Sequence, residues 1–148
     1  MTLSTAETTS SAETTTSQAT KAGLAYMAAV FAAGFILGTL RVFIITPKLG
    51  ELAAMSMELP IMLAISWLIC PWINAYFAVP VWVSARLVMG GVAFAALMIA
   101  ETTLSVLAFG RPLTEHLSRY REWPTLLGLA GQIAFAAIPM LQASRSRA

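Results

Sequence analysis

Apolar positions in this chain do not alternate with polar ones; they run together. Four blocks, roughly 22–45, 60–79, 84–109 and 124–141, are almost unbroken apolar stretches with very few ionisable side chains. A hydrocarbon layer about 30 Å thick is crossed by roughly 20 apolar residues at about 1.5 Å of rise each. Backbone N–H and C=O groups in lipid must be paired inside the protein, which leaves helices or a closed barrel. The blocks are rich in Ala, Leu and Met and lack the alternating segments of barrel strands, so the pattern predicts helices. The expected fold is an all-α four-helix transmembrane bundle.

Punctuation along the chain refines the spans. The first passes through Gly34 and Gly38 to Thr46, with Pro47 as a stop signal. Glu58 prefaces the second, Pro60 suits its first turn, and Pro71 should kink it midway. Pro80 marks a tight connection to the third span, which Gly110 would cap before Pro112. The fourth opens at Trp123-Pro124. Between the last two, Leu113, Leu117 and Tyr120 share one helical face and charged residues fill the others, predicting a short amphipathic helix along the interface. Trp72, Tyr76, Trp82 and Trp123 fall near span ends, as an interfacial aromatic belt would.

Residues 1–21 read differently. They are dominated by Ser and Thr, bury little apolar surface and are expected to be a disordered tail ahead of a 22–148 membrane domain. They lack the apolar core of a secretory leader, so the first block is expected to be a retained span.

Composition agrees with lipid as the medium. Apolar residues make up 58% and charged residues 11% of the chain, where soluble domains carry about a quarter charged. The nine basic residues are scattered, so no nucleic-acid partner is indicated. A single Cys70 and a single His116 leave no internal disulfide, no multi-cysteine metal site and no bis-histidine haem within one chain, and no cofactor is expected. With no Asp and no nucleophile–base–orienter set, an enzyme is not expected. Partners in view are the bilayer itself, a second copy of the chain or another membrane protein.

Even crossing number puts both termini and the turn between spans 2 and 3 on one face, with Lys21, Arg86, Arg145 and Arg147. Lys48, Arg111, Arg119 and Arg121 collect on the other, so the positive-inside count is level. A polar tail that need not be translocated favours cytoplasmic termini.

The charges within the spans carry the candidate chemistry. Threading places Arg41, Glu58 and Glu101 in one leaflet. Intramembrane ionisable groups turn inward and pair, so Arg41 should meet Glu101 or Glu58 as an intramembrane charge cluster. Arg41 follows Gly34 and Gly38, whose small-xxx-small spacing is a helix-packing seam for this bundle or for a homodimer. Two roles remain open for the cluster: a permanent pair that sets helix register, or a proton or cation site at Glu101 lined by Thr102, Thr103 and Ser105. Arg86, near the other end of the third span, is expected to snorkel to headgroups, and Gln132 to hydrogen-bond between helices.

Arg41, Thr46-Pro47, Gly50-Glu51, Glu58-Leu59-Pro60, Ala100-Glu101 and Phe109-Gly110-Arg111 together resemble the uncharacterised small four-span proteins of bacterial inner membranes. That resemblance implies a multi-pass inner-membrane location and carries no activity with it. Small multidrug exporters also have four spans and an embedded glutamate, but theirs is in the first span, where this chain has Arg41.

Overall fold

The computed structural model describes the backbone of residues 3–107 and 122–145, with side chains from residue 11 onward. It contains α1 (Leu3–Leu40), a π-helical turn (Arg41–Ile45), α2 (Thr46–Leu49), α3 (Glu51–Tyr76), α4 (Val83–Leu107) and α5 (Trp123–Arg145). Four of its helical stretches, Ser11–Leu49, Glu51–Tyr76, Val83–Leu107 and Trp123–Arg145, are long and apolar enough to cross a membrane. The amphipathic helix expected around Leu113–Tyr120 and the cap at Gly110 lie outside the described residues.

Large apolar side chains face outward on every one of these helices, among them Phe35, Phe43, Leu68, Ile99 and Ile133. In water this surface would be an extensive aggregation-prone patch. Against acyl chains it is the expected exterior. The protein is therefore a small integral membrane protein with a multi-pass helical bundle.

Around the bundle, α1 lies against α3 and α4, and α5 against the same two. The helices α3 and α4, although joined by a short turn, face each other across the diagonal. Gly34 faces Met62 and Gly38 faces Glu58, so α1 and α3 run antiparallel. Gly128 faces Met55 and Gly131 faces Leu59, so α3 and α5 run parallel. The core collects on one stripe of α4, comprising Ala85, Met89, Ala93 and Leu97, against Ala19, Ala22, Tyr26 and Val30 of α1 and Phe135 and Ile138 of α5.

Several boundaries differ from the sequence expectation. The helix α1 extends ahead of the first apolar block, and Ala19, within residues 1–21, is fully buried. Ala19, Ala22, Tyr26 and Val30 form a single helical stripe whose packing carries past the composition boundary, and helix propagates cheaply once nucleated. The hydroxyls of Thr15 and Thr16 donate to the carbonyls of Ser11 and Ala12 one turn back, which suits a helix as well as a loop.

Pro47 does not stop the first span. Its ring cannot donate to the carbonyl of Phe43 and would crowd it, so the preceding turn widens and the Thr46 N–H donates to Arg41, five residues back. The helix ends instead at Gly50, whose φ of +81° breaks the run. Pro60 accordingly lies inside α3 rather than in its first turn, because Glu51–Met57 already folds as helix and Met55 packs on Gly128. Glu58, expected to preface that helix, is an interior residue of it.

The α3–α4 connection is a Schellman motif: Val79 N–H donates to Asn74 C=O at 3.0 Å and Ala78 N–H to Ala75 C=O at 3.3 Å. Ala78 takes the left-handed conformation at φ 51° that glycine usually fills.

Two of the prolines inside the helices, Pro71 and Pro139, each free a carbonyl that is taken by a side chain from another helix. Pro71 leaves Trp67 C=O without its helical donor, and Gln142 Nε2 of α5 supplies one at 2.8 Å. Pro139 leaves Phe135 C=O, and the Tyr26 hydroxyl of α1 reaches it at 3.4 Å while the two rings stack at 4.5 Å between centroids. Tyr26→Phe keeps the stack and removes the donor, so it is expected to destabilise by about 0.5–1 kcal/mol. In a Pro139→Ala background, which restores the N–H, the same change should cost much less. Equal losses in the two backgrounds, measured by unfolding in mixed micelles, would refute the capping role.

Candidate functional site

The polar groups inside the bundle form three sets. In the first, Arg41 opens the π turn and its Nε lies 2.5 Å from Glu58 Oε2 of α3, with each side chain more than four-fifths buried. Widening the turn at Arg41 accompanies the step past Pro47, and single π turns of this kind are frequent at functional sites. Gly38, one turn earlier, presents no side chain to Glu58; a Cβ there would sit 3.9 Å from Glu58 Oε1. Arg41, Gly38 and Glu58 thus occupy one contact, and Gly34 continues it toward Met62.

The second set joins the other pair of helices. Glu101 of α4 sits on the line that carries Ala93 and Leu97, and its Oε2 accepts from Gln132 Nε2 of α5 at 2.6 Å. Among the described residues no basic group forms an ion pair with Glu101. Of the two expected partners for Arg41, the structure selects Glu58 and leaves Glu101 to an amide. Leu59, next to Glu58, packs on Gly131, next to Gln132, so both sets lie at one level of the bundle.

The third set lies at the opposite end. Arg86, expected to snorkel outward, is only 6% exposed. Its Nε donates to Pro80 C=O at 2.9 Å and its Nη2 to Val79 C=O at 3.0 Å, so it locks the α3–α4 turn from beneath. The physical reason is the orphan carbonyls of that turn: in a membrane they need donors, and a guanidinium supplies several in a fixed fork. Nearby, Asn74 Nδ2 donates to Cys70 Sγ at 3.3 Å. Arg86, Asn74, Trp67, Gln142 and Arg145 line a cavity of about 520 Å³.

Of this last set, the sequence points to Arg86, as a headgroup-seeking residue, but not to its companions Asn74, Trp67 and Gln142. Its signal was present in part: a proline in a span predicts a free carbonyl four residues earlier, and that carbonyl predicts a donor. Tight helix approaches were likewise read at Gly34 and Gly38, whereas the closest ones are at Gly23, Gly90 and Gly131. Glycine spacing alone does not distinguish these positions. Trp72, Tyr76, Trp82 and Trp123 are all exposed near helix ends.

No protein-family model matches the chain, and no curated protein or solved structure matches it.

Proposed function

We propose that this protein is a structural or accessory component of the bacterial inner membrane, with both termini cytoplasmic, no catalytic activity of its own, and a partner that is a second copy or another membrane protein. The reading is carried by the Arg41–Glu58 contact, in which the two opposite charges of the first two crossings satisfy each other across the α1–α3 seam. The same economy holds elsewhere: Arg86 holds turn carbonyls, and Gln142 and Tyr26 hold the carbonyls freed by proline. Polar groups arranged this way fix helix register. The bacterial location rests on the resemblance to small four-span inner-membrane proteins.

A second reading rests on Glu101. Its carboxyl group is hydrogen-bonded by a neutral amide rather than neutralised by a cation among the described residues, as a protonatable site in a small proton- or ion-linked transporter would be. Purified protein in liposomes separates the two. As an accessory bundle, wild type and Glu101→Gln both leave an imposed pH gradient intact, and the substitution alters only stability or assembly. As a transporter, the wild type dissipates the gradient and Glu101→Gln abolishes that flux while inserting and purifying normally. Wild-type flux of protons or common ions that depends on Glu101 would overturn the accessory reading.

A further inference from the structure

We propose that the cavity beneath the α3–α4 turn binds the phosphate of an anionic lipid headgroup. Two guanidinium groups and no carboxylate line it. Arg86 is buried, and its two bonds to Pro80 and Val79 leave further N–H donors of the fork unassigned. Among the described residues no acid pairs with it. A buried cation without a counter-charge is costly at membrane depth, and phosphate is the anion whose oxygens match a guanidinium fork.

The second guanidinium is already in position. Arg145, in the last turn of α5, lies over the Trp67 ring with its Cζ 5.1 Å from the centroid, so it is held at the cavity by an aromatic face. Gln142 of the same helix is tied to Trp67 C=O, which fixes α5 against α3 along this wall. Asn74, 8% exposed, keeps a buried Oδ1 with no donor, an acceptor suited to a headgroup hydroxyl.

The level of the site favours a lipid over a free anion. Trp72, Tyr76 and Trp82 project outward from the same end of the bundle, where aromatic side chains mark the headgroup layer. Pro71 and Val79 add apolar wall beside the charges, as the glycerol and upper acyl carbons of a lipid would require. Basic pockets between spans at this depth are a recurring mode of anionic-lipid recognition.

The test uses the full-length protein purified in a mild detergent and exchanged against phosphatidylglycerol, phosphatidylcholine or inorganic phosphate, with retained lipid read by native mass spectrometry. Phosphatidylglycerol should be retained about tenfold more strongly than phosphatidylcholine, which has the same phosphate but sets a quaternary ammonium against two guanidinium groups and offers no hydroxyl to Asn74. Arg145→Gln should remove most of that preference and Arg145→Lys should keep part of it. Arg86→Gln also unlocks the turn, so Asn74→Asp serves as the second variant: it places a carboxylate in the cavity and should reduce phosphatidylglycerol retention while leaving phosphatidylcholine unchanged. Equal retention of the two lipids by wild type would overturn the proposal, as would an undiminished preference in both Arg145→Gln and Asn74→Asp. Displacement of phosphatidylglycerol by millimolar inorganic phosphate would overturn the lipid assignment in favour of a free-anion site.

Discussion

Gly90→Ala is expected to destabilise the bundle by about 2–3 kcal/mol, whereas Gly91→Ala, one residue along, should be neutral or slightly stabilising. The contrast follows from what a Cβ would meet. At Gly90 it would collide with the backbone carbonyl oxygen of Ala136, so α4 and α5 would have to move apart. A flexible side chain could swing away; a helix backbone held by its own hydrogen bonds cannot. At Gly91 nothing lies within 4 Å, and alanine brings only its better helix propensity. The pinch has another side. Met89 C=O, the neighbouring carbonyl, faces Gly23 of α1, where a Cβ would sit 2.6 Å away. Over two residues α4 is therefore clasped by both neighbours, through glycines that bring backbones close enough for dispersion and Cα–H···O contacts to hold helices together in lipid. Unfolding midpoints in mixed micelles check this, and similar values for the two alanine variants would disprove the clasp.

Arg41→Ala is expected to cost about 3 kcal/mol, because it leaves Glu58 without its counter-charge in a largely buried position. Glu58→Ala should cost less, since a long arginine stem near a span end can carry its head group toward water. The decisive variant is the double replacement Arg41→Met with Glu58→Leu. Removing both charges and keeping apolar volume should restore stability close to wild type, since burying an ion pair gains little over well-packed apolar groups. A double-mutant cycle built from Arg41→Met, Glu58→Leu and the double variant reads the coupling directly. Single-variant losses that simply add in the double variant would mean that the two side chains act independently.

Much of this architecture was legible in the order of residues because lipid imposes so strong a filter. Unbroken apolar runs have few alternatives to helix, and the four spans appear within a few residues of where the pattern put them, apart from the early starts of α1 and α3. Arg41 and Glu58 could be brought to one leaflet by counting rise per residue. What counting could not do was choose between Glu58 and Glu101, since α1 packs against both α3 and α4 and the choice depends on the azimuth of Arg41, about which spacing within one span says nothing. Arg86 illustrates the same limit: a lone arginine near a helix end reads as headgroup-seeking, and only the nearby turn, with Ala78 left-handed and two carbonyls aimed inward, shows what it holds. Pro47 and Pro60 were read as boundaries because proline usually is one. Here a π turn absorbs the first, and the second is carried inside a helix that starts earlier.

The diagonal placement of α3 and α4 has a consequence for biogenesis. The deepest stripe of α1, through Ala19, Ala22 and Tyr26, finds its main neighbour in α4, so the opening hairpin leaves the insertion machinery with that stripe still uncovered. Closure has to wait for the third crossing to be synthesised and to slide in parallel beside the first. A nascent chain stalled after two crossings would therefore present its alanine-lined flank to whatever insertase or chaperone stands next to it.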